Sequence, residues 1–286
     1  MVHFTHINDP FTLHNGVAIP CVGYGTYKVA AEEARASVAA AIRAGYRHID
    51  TAAFYRNEAG VGQAIRESGL AREDFFVTSK VWNTDRGYDN ARAAFEASLK
   101  ALDMEYLDLY LIHWPANYLQ YGSEAKKLNA ETWRALEDLY REGKIRAIGL
   151  SNFLPHHMEA LMETAEIRPM VDQIELHPGW LQRGTLRYCA DNGIVAEAWS
   201  PMGRGALMEA PALTEIARRL GKSVAQVCIR WVLQHGALPL PKSVHPDRIA
   251  SNTQVFDFTI PEADMETMDG LVNLGGQCAR PDDVLF

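Results

Sequence analysis

The chain has 286 residues, of which 48% are hydrophobic and 22% charged, and a formal net charge of -8 at pH 7. Barrels of roughly 250 residues commonly form one domain, so a single domain over residues 1–286 is expected. The acidic balance argues against a nucleic-acid partner. No charged-then-apolar leader and no bilayer-length apolar run is evident, which predicts a soluble, cytoplasmic protein without a membrane partner. Cys21, Cys189, Cys228 and Cys278 are scattered without CxxC spacing, which suggests reduced thiols and neither a zinc site nor a disulfide framework.

In chain order, FTLHNGVAIP places two short apolar stretches around Asn15-Gly16, which predicts a leading β-hairpin. Short β-rich runs then alternate with helical patterns: VGYG, RHIDT, FFVTSKV, LDLYLIHW, AIGLSN, VDQIEL, IVAEAWS and LPLPKS. Between them, apolar residues recur at helical spacing, as in Val38, Ala41 and Ile42, in Phe95, Leu99 and Leu102, and in Val224, Val227, Cys228 and Trp231. Strict alternation implies a parallel α/β sheet with right-handed crossovers, either open and doubly wound or closed. Eight repeats favour a (β/α)8 TIM barrel. An open dinucleotide-binding sheet calls for GxGxxG after its first strand, whereas this turn reads GYGTYKV, with no third glycine.

Active sites of such barrels sit at the C-terminal ends of the strands. Asp50 ends the second run, Lys80 the third, His113 the fourth, Ser151 and Asn152 the fifth, Gln173 the sixth and Ser200 the seventh; Lys242 follows the eighth. Singly, each has a bland reading as a helix cap, a solvated end or a core histidine. A succession of such residues on consecutive strand ends points instead to one shared mouth.

The segments GYRHIDTAAFYRNE, VTSKVWN, YLDLYLIHWP, GKIRAIGLSNF, QIELHP, AWSPMGRG and LPLPKSVHPDRIASN together resemble the aldo-keto reductase signatures, in order and over nearly the whole chain. The likeness is greatest to compact bacterial members of the 2,5-diketogluconate reductase type. It implies NADPH-dependent reduction of small aldehydes and ketones, dicarbonyls included, with a catalytic tetrad at Asp50, Tyr55, Lys80 and His113. Hydride addition creates an alkoxide, which needs a proton donor and preorganised positive charge. Tyr55 is the implied donor, Lys80 the ammonium that eases proton release, and Asp50 the group that orients Lys80. His113 lies in an apolar run, where burial favours the neutral imidazole that can donate to a carbonyl. No second ligand stands at metal spacing beside it, so no metal is expected, and His156-His157 is expected to be solvated.

The resemblance further assigns NADPH/NADP+ contacts to Gly25, Thr26, Ser151, Asn152, Gln173 and Trp199, with Ser200, Pro201, Met202 and Gly203 passing over the pyrophosphate. Lys242, Ser243, Val244, Arg248 and Asn252 surround a short helix start, where free N–H groups, the helix dipole and Arg248 suit a 2'-phosphate. Ser251 stands where the family often has Glu, which bears on the adenine contact. Substrate would be lined by Tyr27, Phe54, Tyr55, Trp82, His113 and Trp114, with a C-terminal loop over 273–286 as the remaining wall. A monomer with a small-molecule carbonyl partner is expected. Two other classes are a non-catalytic NADPH-binding sensor or structural subunit, and a Schiff-base aldolase or isomerase using Lys80, which pairing with Asp50 would oppose.

Overall fold

The computed structural model describes residues 4–286. Strands β1 (Pro10–Thr12) and β2 (Ala18–Pro20) pair antiparallel as the leading hairpin. Its turn is wider than a two-residue Asn-Gly loop. Leu13 N donates to Val17 O, Asn15 Oδ1 accepts from the Val17 amide at 3.1 Å, and of the pair only Gly16 is left-handed, with φ +86°. Asn15 Nδ2 donates to Arg146 O and His14 sits against Arg168 O and Pro169 O, so the hairpin packs across the N-terminal ends of the following strands.

Eight parallel strands follow: β3 (Gly23–Gly25), β4 (His48–Asp50), β5 (Phe76–Val81), β6 (Leu107–Ile112), β7 (Ile145–Ser151), β8 (Val171–Glu175), β9 (Val195–Trp199) and β10 (Leu238–Leu240). They are ordered β3 to β10 around the sheet, each beside its sequence neighbour. The seam between β10 and β3 closes through Gly25 N, which donates to Pro241 O at 3.1 Å. Glycine permits that approach. A Cβ at position 23 would sit 2.5 Å from Leu240 Cδ2 and 2.6 Å from His48 Nδ1, so the GYG run is a requirement of closure and not a phosphate loop.

Helices cover the outside: α1 (Ala31–Arg43), α2 (Glu58–Arg66), α3 (Tyr88–Leu102), α4 (Tyr118–Tyr121), α5 (Glu124–Arg141), α6 (Pro155–Met162), α7 (Arg183–Asp191), α8 (Pro211–Leu220), α9 (Val224–Gln234), α10 (Pro246–Ser251) and α11 (Glu262–Asp269). The longer ones bury the stripe their periodicity defines; on α3 this is Ala91, Phe95, Ser98, Leu99 and Leu102. Helix α9 starts at a Ser223/Gln226 capping box, in which Gln226 N donates to Ser223 Oγ and Ser223 N to Gln226 Oε1. Among the described residues no helix is long and apolar enough to cross a membrane.

Strands β5 and β6 are buried along their whole length. Side chains alternate across the pleat, so alternate positions share a face: His48 with Asp50, Thr78 with Lys80, and Glu197 with Trp199. Barrel interiors are normally filled with branched aliphatics. Here the upper layers hold a connected set of polar and charged groups, and that set supports the site.

Candidate active site

Lys80, fully buried on β5, directs its ammonium at Asp50 Oδ2 (2.7 Å), Asp50 Oδ1 (2.9 Å) and Thr51 O (2.8 Å), with Tyr55 Oη at 3.5 Å. A buried ion pair persists only when its remaining donors and acceptors are satisfied. Here they are: Gln173 Nε2 also donates to Asp50 Oδ2, at 2.9 Å. Tyr55 ends the short helical turn Ala53–Tyr55 just after β4, and Arg56 follows in left-handed conformation. Asn57 ties that turn down, accepting from Thr51 Oγ1 and donating to Thr26 O and Val29 O.

Burial, reinforced by Asp50, holds the Tyr55 phenol well above its ordinary pKa. Lys80 remains within 3.5 Å of Tyr55 Oη, the distance at which it can ease proton release once the phenolate begins to form. In the structure the Lys80 ammonium is directed chiefly at Asp50, so desolvation prevails and the phenol keeps its proton across the neutral range. His113 is held well below its ordinary value by burial, with the Lys80 charge adding to it, and is therefore neutral. Its Nδ1 is buried without a hydrogen-bond partner. An orphaned N–H is rarer than an orphaned lone pair, which puts the imidazole proton on Nε2.

Tyr55 and His113 open into a cleft of about 1050 Å³ that runs from the aromatic mouth to α10. Among the predicted residues, Gly25, Ser151, Asn152, Gln173, Trp199, Ser200, Pro201, Met202, Lys242, Ser243, Val244, Arg248 and Asn252 line it, as do Tyr27, Phe54, Trp82 and Trp114. Thr26, Gly203 and Lys80 lie behind the wall. Thr26 Oγ1 donates to Asp50 O, which fixes the end of β4.

The polar groups at the centre of the cleft are interlocked. Ser151 Oγ donates to Gln173 O, Asn152 Nδ2 donates to His113 O and Ser151 Oγ, and Asn152 Oδ1 accepts from Trp199 Nε1 at 2.9 Å. Asn152 adopts φ 64°, a conformation Asn tolerates better than most residues. Toward α10 the lining turns cationic, with Lys28, Lys242 and Arg248, while Arg204 stands nearer the centre over the Tyr27 and Trp199 rings and Asp50 is the one acidic lining residue among those described. A long cleft with carbonyl-binding groups at one end and unneutralised cations at the other fits a phosphorylated dinucleotide.

The mouth is aromatic. Phe54 stacks on Trp82 with centroids 3.8 Å apart, and Phe286 stands edge-on to Trp114 at 5.1 Å. The C-terminal segment closes this side, and sequence reasoning left its conformation open. Buried Glu175 accepts from the amides of Gln277 and Cys278, Asn117 Nδ2 donates to Pro281 O and Val284 O, and Asn83 Nδ2 donates to Phe286 O. Arg204 pairs with Gln277, which joins the loop after β9 to the tail.

His156 and His157, expected to be solvated, also hold that tail: their Nε2 atoms lie 3.0 and 2.9 Å from Asp282 Oδ1. His156 is exposed, as expected, whereas His157 is largely buried, its Nδ1 accepting from Leu154 N at the start of α6. Glu197 was also missed, although a carboxylate in the middle of IVAEAWS is a visible signal of a buried polar contact.

Residues 21–273 match the Aldo/keto reductase family. The chain belongs to that family. It is 52% identical over 283 residues to glyoxal reductase of Bacillus subtilis, covering 99% of each chain. Among solved structures, an aldo-keto reductase from a Medee basin deep-sea metagenome library superposes with a TM-score of 0.90 at 40% identity, covering 96% of this chain and 100% of that one. An aldo-keto reductase of Bombyx mori in complex with NADP gives 0.82 at 36% identity, covering 91% of both. This aldo-keto reductase is accordingly an oxidoreductase.

Proposed function

We propose that Tyr55 is the proton donor and His113 the carbonyl-orienting donor for small aldehydes, ketones and dicarbonyls in this barrel. The reaction is NADPH-dependent reduction of a carbonyl to an alcohol. The observation that carries the assignment is the convergence of a protonated phenol and a neutral imidazole, ring centroids 5.7 Å apart, on one cleft backed by the Asp50–Lys80 pair.

Bound NADPH supplies the hydride to the carbonyl carbon. Tyr55 Oη gives its proton to the carbonyl oxygen as negative charge develops there, and His113 Nε2 donates a hydrogen bond to the same oxygen. Lys80, 3.5 Å from Tyr55 Oη, stabilises the phenolate as it forms. Gly25, Ser151, Asn152, Gln173 and Trp199 would hold the nicotinamide end; Ser200, Pro201 and Met202 the pyrophosphate; and Lys242, Ser243, Val244, Arg248 and Asn252 the 2'-phosphate and adenine. Behind them, Thr26 and Gly203 act through the backbone they position.

The substrate end is apolar and tail-closed, which supports small dicarbonyls and aromatic aldehydes; the likeness to glyoxal reductase favours the same class. A single-domain, cytoplasmic monomer completes the proposal; for the compartment, the four free cysteines suit a reducing environment. The test is a panel of methylglyoxal, phenylglyoxal, nitrobenzaldehyde and a steroid ketone, followed by loss of NADPH absorbance. Highest kcat/KM on a small aldehyde or dicarbonyl is expected; a steroid ketone ahead of every small aldehyde overturns the substrate assignment.

A further inference from the structure

Beneath the site, Gln173 Nε2 bridges two buried carboxyl groups, donating to Asp50 Oδ2 at 2.9 Å and to Glu197 Oε2 at 2.8 Å. Both amide protons are thereby used, so the orientation of Gln173, a lining residue of the cleft, is set from below by Glu197. Glu197 is fully buried and accepts no other hydrogen bond; its Oε1 has no partner, and the nearest basic atom, His48 Nε2, lies 3.8 Å away.

The charged and titratable groups facing it are Asp50, Lys80, Asp172 and His48. Lys80 is engaged by Asp50, and His48 is kept neutral by burial and by Lys80. A carboxylate supported by one neutral hydrogen bond at full burial, beside two further acids, takes up a proton.

We propose that Glu197, carrying its own proton, is a positioning residue that fixes Gln173 and, through it, the Asp50–Lys80 pair beneath Tyr55. Protonated, it keeps the floor of the site neutral. Ionised, it adds a negative charge beneath the Asp50–Lys80 pair, opposing the negative charge that the phenol above must take on as it gives up its proton, so reduction slows. Burial, with Asp50 second, pushes the Glu197 carboxyl up to about 8, which places the change within reach of a pH-rate profile.

The experiment compares wild type, E197Q and E197A in steady-state reduction from pH 6 to 9. E197Q preserves shape, accepts from Gln173 through its carbonyl and cannot ionise; E197A removes the contact. Wild-type kcat is expected to decline as pH rises through about 8. E197Q is expected to stay within about twofold of wild type at neutral pH and to lose that decline. E197A is expected to lose kcat roughly 10- to 100-fold, because misplacement remote from the chemistry is costly.

An E197Q enzyme as slow as E197A, an unchanged E197A, or one pH profile shared by wild type and E197Q overturns the proposal. Should circular dichroism show E197A unfolded, E197Q decides alone. The proposal rests on the Tyr55 reading, and the two fail separately. Retained turnover in Y55F removes that reading, whereas the carboxylic C=O stretch in a wild-type minus E197Q infrared difference spectrum reports the Glu197 proton whichever group is the donor. No such band at neutral pH overturns the Glu197 assignment.

Discussion

Lys80 Nζ lies 2.7 and 2.9 Å from the two oxygens of Asp50, nearer than the 3.5 Å that separates it from Tyr55 Oη. The lysine is therefore held by its carboxylate partner, and the phenol is presented to an ammonium whose position is already fixed. Removing one partner of a buried pair strands the other, at a cost of about 3–5 kcal/mol. Lys80→Met should lose stability on that scale in denaturant titrations and also lose turnover. The double variant Lys80→Met, Asp50→Asn should recover most of the stability and none of the activity. Recovered activity would show that the pair only supports the fold.

Cofactor choice follows from the cationic end of the cleft. Arg248→Ala should weaken NADPH by about tenfold to a hundredfold, since a hydrogen bond to a charged group contributes roughly 1.5–3 kcal/mol. NADH, which lacks the 2'-phosphate, should change little. Fluorescence titration with both cofactors measures this, and equal losses would make Arg248 a structural residue.

The aromatic mouth predicts a division between KM and kcat. Trp82→Ala removes the stack with Phe54 and the face toward Phe286; aromatic pairs contribute about 0.5–1.5 kcal/mol. KM for nitrobenzaldehyde should rise by several-fold, kcat should hold, and methylglyoxal should be less affected. A uniform fall in kcat for both substrates would place Trp82 in the support of Tyr55 or His113.

Much of this was legible in the sequence. The eight strand runs, the strand-end residues Asp50, Lys80 and His113, and the Lys242–Asn252 segment lie where alternation and barrel topology put them, whereas Gln173, expected at a strand end, lies in the middle of β8 and still lines the cleft. What was not legible depends on contacts distant in sequence. Glu175 meets the tail amides about 100 residues away, and Asn117 meets Pro281 across 164 positions. No local pattern encodes such contacts. The burial that raises the Tyr55 phenol was hidden for a related reason: the lysine was visible as a neighbour, but not the geometry that directs it at Asp50.

Stability should depend on pH with a sign fixed by the buried groups. Burial pushes Glu197 and Asp172 up to about 8, so the folded state keeps protons that the unfolded chain releases at about 4. Stability therefore falls as pH rises through that interval, up to about 8. His48 and His157 are pushed down to about 3 and about 4, chiefly by burial, so stability also falls as pH drops below the ordinary histidine value of 6.5. The two trends oppose each other below 6.5, leaving a net alkaline loss between there and about 8. Urea titrations across that range should show it, and E197Q should reduce it. A flat dependence would mean the carboxyls titrate together with the unfolded chain.

The most direct test of Tyr55 as proton donor is single-turnover reduction by Tyr55→Phe with NADPH binding measured in parallel. The substitution removes the transferable proton and almost no volume. The expected result is near-unchanged NADPH affinity with hydride transfer slowed well over tenfold, a barrier increase above about 1.4 kcal/mol. Because burial holds the phenol well above 10, wild-type loss of rate through Tyr55 ionisation should appear only above that pH. A Tyr55→Phe enzyme that retains more than about a tenth of the wild-type rate would contradict the assignment.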